Sequence, residues 1–224
     1  MTDLLAGPGS PETPVVAAPR PDPRAIQRVQ RIRKAVLLVA ILAVIGLSTA
    51  TAPALTGPTV HAAILGAGLI ALVVAIVGRA WCSLYIGGRK KSEIVDRGPY
   101  SVSRNPLYVF SFLGAFGMGA QTGSLTFAGL FTAIAVAVFL ATVRREEAWL
   151  LGTFGEAYQR YRDATPRFWP RWSGWRDEPQ LTVAPEYFLT TLRDGSAMLL
   201  ALPLFWGITA LHQSHLLATA FRLI

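Results

Sequence analysis

The sequence predicts an all-α membrane protein with about five transmembrane helices. Three observations carry this. Of 224 residues, 52% are hydrophobic and only 15% charged, against about 25% charged in an average soluble domain. Residues 35–78 and 107–143 contain no Asp, Glu, Lys or Arg, and each block is long enough for two spans of roughly 20 residues. The basic residues collect in the segments outside these blocks.

Taken in order, residues 1 to about 23 are rich in Pro, Ala and Gly and have no apolar period. They read as a disordered tail. A secretory signal is not expected there, because the charged stretch starts too late and no cleavage pattern follows. Arg24 to Lys34 are basic and open a helix at the membrane surface. The first span covers about Ala35 to Ala52. Pro53 and Thr56-Gly57-Pro58 turn the chain, and the second span covers about Val60 to Gly78. A polar, basic segment runs from Arg79 to Pro106. The third span, Leu107 to Ala120, is short and rich in glycine. Gln121 to Ser124 make a tight turn into the fourth span, Leu125 to Val143. A long polar segment with many aromatics follows, Arg144 to Gly195, before a last span over about Ser196 to Leu211.

Lys and Arg set the orientation of such a chain. All but one of the 21 fall before the first span, between the second and third, or after the fourth; only Arg222 lies beyond. With five spans these three segments share one face, which the charge rule makes cytoplasmic. The N-terminus is then inside and the C-terminus outside, in an inner or plasma membrane. The same distribution accounts for a formal net charge of +8 without a nucleic-acid partner. Reporter fusions after Thr56 and Gly123 should read outside, and one after Lys91 inside. A cytoplasmic signal at Gly123 overturns this topology.

His61, His212 and His215 fall at the outer ends of spans. His212 and His215 stand at i and i+3, a spacing that suits a metal, but the sequence offers no third ligand and no metal site is expected. The lone Cys82 excludes an internal disulfide. No Gly-rich phosphate loop follows a strand, and no soluble nucleotide-binding domain is present. Any cofactor therefore binds on the membrane scaffold.

Two polar segments stand out. The first runs Ser92-Glu93-Ile94-Val95-Asp96-Arg97-Gly98-Pro99-Tyr100 and leads into Arg104-Asn105-Pro106-Leu107-Tyr108. Gly98-Pro99 is a turn signal. Pro106 suits a first helical turn, where a missing N–H costs nothing, and Asn105 is placed to cap that helix with its side-chain oxygen. On spacing alone, a helix-entry loop with a basic interface anchor accounts for this segment. The second is Arg144-Arg145-Glu146-Glu147. Acids at a helix C-terminus oppose the macrodipole, so helix stability does not explain them; neutralisation by the Arg pair does. Leu150, Phe154, Tyr158 and Tyr161 continue as an amphipathic stripe.

In order along the chain, Gly98-Pro99-Tyr100, Arg104-Asn105-Pro106-Leu107-Tyr108, Glu146-Glu147 with Leu150, Phe154-Gly155 with Tyr158 and Tyr161, and Pro166-Arg167-Phe168 with Pro170 resemble the isoprenylcysteine carboxyl methyltransferase family, a relative of the phospholipid N-methyltransferases. The resemblance covers about Arg79 to Pro170. It implies an integral membrane methyltransferase with an S-adenosyl-L-methionine site at the cytoplasmic membrane surface. The implied cofactor contacts are Tyr85, Ser92, Glu93, Ile94, Val95, Tyr100, Asn105, Pro106, Leu107, Tyr108 and Glu146. The backbone of Ser92 to Val95 is implied to hold the adenosyl part, Tyr100 and Tyr108 to pack on it, and Glu146 to meet the cationic amino-acid end. Arg104, Arg144, Arg145 and Glu147 are the implied catalytic group, at the reactive end of a lipid-like acceptor. The chain then divides into a tail and surface helix (1–34), helices one and two (35–78), a catalytic region with helices three and four (79–195) and a last helix (196–224). The sequence departs from the family at Asn105, where members usually have His, and at Thr142, where the eukaryotic enzymes have Arg.

Methyl transfer asks the protein for position and environment. A carboxylate acceptor needs no general base, whereas an amine such as that of phosphatidylethanolamine must lose a proton. No His is expected on the cytoplasmic face, so an amine would depend on Glu147, Tyr100 or water. This favours carboxyl methylation of an isoprenylcysteine-type acceptor, with phospholipid N-methylation as the alternative. A transporter or accessory protein, the non-enzymatic reading, calls for ionisable groups within the spans, and up to Val143 the spans have none. A membrane reductase using a nicotinamide cofactor fits the Glu-Glu and Phe-Gly elements less well. The acceptor's tail is expected to enter sideways from the bilayer, beside a third span thinned by Gly114, Gly117 and Gly119. Close helix packing is the other use for those glycines.

Overall fold

The apolar blocks become helices that run well past the charge-free stretches. The computed structural model describes residues 42–53, 57–89, 92–216 and 221–223, with Ala35, Leu38 and Val39. The expected tail and surface helix at 1–34 lie outside the described residues. Helix α1 covers residues 42–50, within the first expected span. A three-residue strand, β1 (Thr51–Pro53), follows it. Helix α2 is Pro58–Ile86, α3 is the single turn Pro99–Val102, α4 is Pro106–Ala120 and α5 is Leu125–Ala164. Helix α6 (Pro185–Ser196) passes through a 3-10 turn at Ala197–Leu200 into α7 (Ala201–Gln213). A last strand, β2 (Phe221–Leu223), pairs parallel with β1, Thr51 against Phe221. The sequence carries no alternation to announce this small pairing.

Among the described residues, three helical runs are long and apolar enough to cross a membrane: Pro58–Ile86, Leu125–Ala164 and Pro185–Gln213. Helix α4 has 15 residues, short of the roughly 20 that a span needs, so of the five expected spans three meet the length by themselves among the described residues. Three boundaries also move. Helix α2 extends eight residues past the expected end at Gly78, α5 continues 21 residues past Val143, and the last helical run starts at Pro185 rather than Ser196. Charged residues mark where lipid ends, and a helix of good helix formers such as Arg and Glu need not stop there.

Helix α2 shows how the chain uses its two surroundings. Ile64, Gly68, Ala71, Leu72, Ala75 and Ile76 are buried, at helical spacing. On the opposite face Leu69, Ile70, Val73, Val74 and Val77 are exposed. In water such a stripe would be an association hazard; in a bilayer it meets lipid tails. The buried face packs on α4 through small residues. A Cβ at Gly117 would stand 2.8 Å from the Gly68 carbonyl oxygen, and one at Gly68 would stand 2.7 Å from the Ala120 Cβ. A Cβ at Gly119 would meet the Ala128 backbone at 2.6 Å, and one at Gly114 the Met198 sulfur at 2.7 Å. The glycines of α4 are therefore spent on close helix contact. The space beside α4 lies instead along Ser111, Ala115 and Met118, facing Phe131, Ile134, Ala135 and Phe139 of α5.

The turn between α4 and α5 is tied down at both ends. The Gln121 amide donates to the Leu65 carbonyl at 3.2 Å. Ser124 caps α5, its hydroxyl accepting from the Phe127 N–H as N-cap serines do. A second cluster of Val44, Ala115, Phe127, Phe131, Ala135, Ala201, Phe205 and Ile208 joins α1, α4, α5 and α7.

Candidate functional site

The polar segments either side of α4 and α5 converge at one end of the helices, around a cavity of about 130 Å³. Its wall combines Glu93, Ile94 and Val95 from the loop, Tyr100 of α3, Arg104 to Tyr108 at the start of α4 (Pro106 excepted), and Glu146, Glu147, Leu150, Tyr158 and Tyr161 of α5. Ile86 closes it from α2.

Two glycines in an unusual conformation make this convergence possible. Gly98 has φ 54° and ψ −131°, and Gly155 has φ 53° and ψ −126°. Residues with a Cβ rarely hold that backbone. Gly98 turns the loop into α3 directly over the Tyr85 ring. Gly155 breaks α5 into two legs, and the second leg carries Tyr158 and Tyr161, which line the cavity.

Glu147 is the hub. Its carboxylate accepts from Arg104 Nε at 3.1 Å, from the Asn105 side-chain amide at 3.1 Å and from Arg167 Nη2 at 2.7 Å. Arg104 and Glu147 side chains are each 8% exposed, while Arg167 is 41% exposed. Arg104 also donates to the carbonyls of Arg162 and Thr165, at 2.7 and 2.5 Å. It thereby satisfies the open C-terminal turn of α5. Glu147 lies on the polar part of α5 beyond the charge-free stretch. Burial works to raise its carboxyl, but the hydrogen bonds and charges of Arg167 and Arg104 outweigh that and hold it below the usual value. The same contact raises the Arg167 guanidinium.

Glu146, one residue earlier, faces another way. The Tyr108 hydroxyl donates to it at 3.1 Å, and both line the cavity. Tyr100 is buried, its carbonyl accepts from the Tyr161 hydroxyl at 2.7 Å, and burial pushes its own hydroxyl well above the ordinary tyrosine range. Tyr100 is therefore a neutral hydroxyl at physiological pH.

A strap over residues 165–177 holds the whole arrangement. Arg104 N donates to Pro166 O at 2.9 Å, Arg171 N to Val102 O at 3.0 Å and Gly98 N to Arg176 O at 2.8 Å. Trp175 stacks on Trp81 of α2 with ring centres 5.8 Å apart.

Of the residues singled out in the sequence, the structure brings Glu93, Ile94, Val95, Tyr100, Arg104, Asn105, Leu107, Tyr108, Glu146 and Glu147 to one cavity. Tyr85 stands one layer behind it, its hydroxyl donating to Asp177 at 3.0 Å. Ser92 is exposed on the outer side of the loop, and Pro106 is buried in the first turn of α4. Arg144 and Arg145 are exposed and lie outside the cavity lining. Two expectations change. Asn105 does not cap α4 with its side chain; its amide goes to Glu147 and the Arg167 carbonyl instead. Glu146 and Glu147 do not sit at a helix C-terminus, because α5 continues to Ala164, so the macrodipole does not bear on them. Sequence reasoning missed Arg167 as the second partner of Glu147. Its one signal was its place in the Pro-Arg-Phe element.

The lining suits a nucleoside carrying a sulfonium and an amino acid. Ile86, Ile94, Val95 and Leu107 offer apolar surface to a base, and the Tyr108–Glu146 pair offers negative charge to a cationic end. At about 130 Å³ the cavity is smaller than the roughly 300–1,000 Å³ of small-molecule sites. Its Glu93–Val95 wall belongs to no helix, so moving outward breaks no helical hydrogen bond. Among the described residues, no group of three or more His, Cys, Asp or Glu could hold a metal ion. His212 instead approaches the Ser48 carbonyl at 3.4 Å.

A family model described as phospholipid methyltransferase matches residues 61–157. The chain is 41% identical over 135 residues to the nickel-cobalt-cadmium resistance protein NccN of Alcaligenes xylosoxydans xylosoxydans, covering 60% of this chain and 63% of that one. It is 38% identical over 138 residues to the cobalt-zinc-cadmium resistance protein CzcN of Cupriavidus metallidurans, covering 62% and 63%. The chain thus spans a little under two thirds of the length of these relatives. It is 29% identical over 103 residues to the protein-S-isoprenylcysteine O-methyltransferase of Schizosaccharomyces pombe, covering 46% of this chain and 44% of that one. No solved structure matches.

Proposed function

We propose that this chain, whose residues 61–157 match a family model described as phospholipid methyltransferase, is an integral membrane methyltransferase using S-adenosyl-L-methionine. The observation that carries the reading is the cavity itself: residues from separate parts of the matched stretch, Glu93 to Val95, Tyr100, Tyr108 and Glu146, meet at one place. When bound, the cofactor supplies an electrophilic methyl group on a sulfonium. Tyr108 orients the Glu146 carboxylate, which receives the cofactor's cationic end. The Glu93–Val95 wall holds the adenosyl part against Ile86 and Leu107. Tyr100, held neutral, gives shape and a hydroxyl without adding charge. Arg104, Asn105 and Arg167 fix Glu147, so the floor of the site does not depend on the ligand.

The acceptor is an amphiphile whose polar end carries a carboxylate. A carboxylate attacks without losing a proton, and the site is poor in bases: Glu147 is held below the usual range by two guanidinium groups, and Tyr100 stays protonated. The name of the matching family favours a second reading, N-methylation of a phospholipid amine. An amine would have to release its proton to Glu146 or to water. Membranes containing the protein, incubated with isotopically labelled methyl donor, separate the two. A methyl ester is released as methanol by mild base, and an N-methyl group is not. Label in neither form ends the methyltransferase reading.

Glu146→Ala should weaken binding of S-adenosylhomocysteine at least tenfold while leaving thermal stability near that of the parent. Calorimetric titration beside a melting curve checks it. Unchanged affinity removes Glu146 from the cofactor site.

A further inference from the structure

A second cavity, of about 210 Å³, lies among the membrane helices and is lined by Val44, Ala115, Met118, Phe131, Ile134, Ala135, Phe139 and Met198, with Arg79 and Ser111 as its polar members. It is larger than the roughly 150 Å³ that admits benzene into a protein core. We propose that this cavity binds an amphiphile with one alkyl chain, and that Arg79 holds its anionic end.

Arg79 is the anomaly that points to a ligand. One of its terminal nitrogens donates to the Ser111 hydroxyl. Its Nε is buried and has no hydrogen-bond partner among the described residues. Asp194 of α6 acts on it through space, without an ion pair between them among the described residues. A guanidinium carries five donors in a fixed fork, and a buried donor left unmade is costly. An anion beside Arg79 supplies both the missing acceptor and the missing charge.

The shape of the cavity gives the rest of the ligand. Arg79 stands 21 residues beyond the start of α2, about 32 Å along a helix, which is about one hydrocarbon thickness. The charge is therefore at the membrane boundary. From Ser111 to Met118 on α4 the lining extends about 10 Å, and from Phe139 to Phe131 on α5 about 12 Å. Both lead away from the charged end into lipid depth. A carboxylate or phosphate monoester with its chain pointing into the membrane matches that polarity. Phe139 packs its ring 5.1 Å from Tyr108, so this site backs onto the wall of the polar cavity without sharing its charged residues. It does not rest on methyl transfer.

The test is calorimetric binding to the full chain in phosphatidylcholine nanodiscs, with decanoate, decyl phosphate and decanol as probes. The two anions should bind at least tenfold more tightly than the alcohol. Arg79→Gln should erase that preference. Ala135→Phe keeps Arg79 and fills the cavity, and should abolish binding of all three probes while S-adenosylhomocysteine affinity stays unchanged. Repeating the titration with phosphatidylglycerol, a two-chain phosphodiester, in the discs should leave binding of the single-chain anions undiminished; competition assigns the site to bulk anionic lipid and overturns the single-chain assignment. Equal affinity for decanoate and decanol in the parent, unaltered preference in Arg79→Gln, or full binding in Ala135→Phe overturns the proposal.

Discussion

Replacing Glu147 with alanine should destabilise the folded protein by about 3–5 kcal/mol, the usual cost of removing one partner from a buried ion pair. The cost comes from Arg104, whose guanidinium is 8% exposed and would be left without its counter-charge. Arg167 contributes little to it, because it is 41% exposed and water takes over its solvation. The Arg104→Ala, Glu147→Ala double variant should then lose less than the sum of the two single variants, as coupled residues do. Because the folded-state carboxyl is held below its ordinary value of 4.5, its stabilising contribution is complete above that value. It is lost as pH falls through the lower, folded-state value. Melting curves in detergent between pH 7 and pH 3 should show the parent losing this increment and Glu147→Ala having none to lose. A change within about 0.5 kcal/mol in Glu147→Ala would show that the pair is solvated after all.

Gly98→Ala should be the second severe substitution, at about 2–6 kcal/mol, combining roughly 1–3 for the strained backbone with about 1–3 for overpacking. The added Cβ would enter the Tyr85 ring. Gly155 separates the two contributions. It has nearly the same φ and ψ, but a Cβ there meets nothing within 4 Å. Gly155→Ala should therefore lose only the backbone part, about 1–3 kcal/mol. Adding Tyr85→Ala to Gly98→Ala should recover the overpacking part. Equal losses at the two glycines, with no recovery in the double variant, would show that the ring moves aside without cost.

The parts of this structure legible in the sequence are those that lipid dictates. Charge-free blocks point to the helices, while the clustered Lys and Arg mark only the edge of the apolar stretch, since α2 and α5 run on past it. The resemblance placed Glu93, Tyr100, Tyr108 and Glu146 before any fold was known, and these are residues the structure gathers at one cavity. What stayed hidden depends on contacts distant in sequence. Arg167 is 20 residues from Glu147, and no local period joins them. Asn105 reads as a cap because caps are local; a carboxylate from α5 claims its amide instead. Arg79 reads as one more boundary charge. Only the packing of α4 beside it shows a nitrogen that bonds to nothing among the described residues. The α4 glycines were open to two readings, and backbone distances decided for contact.

The break at Gly155 also fixes the altitude of the site. From Leu125 to Val143 the first leg of α5 rises about 28 Å, close to a bilayer's hydrocarbon thickness. From Arg144 to Phe154 it climbs about 16 Å further before the bend. Helix α5 is thus a mast, with the polar chamber mounted on the part above the lipid and the exposed Arg144 and Arg145 as a collar at its foot. A thicker membrane would make that first leg too short, pulling the collar toward hydrocarbon until local thinning and snorkelling of the two arginines take up the mismatch. Acyl-chain length in the host membrane thereby sets how far the chamber stands from the lipid, with no change in the chamber itself.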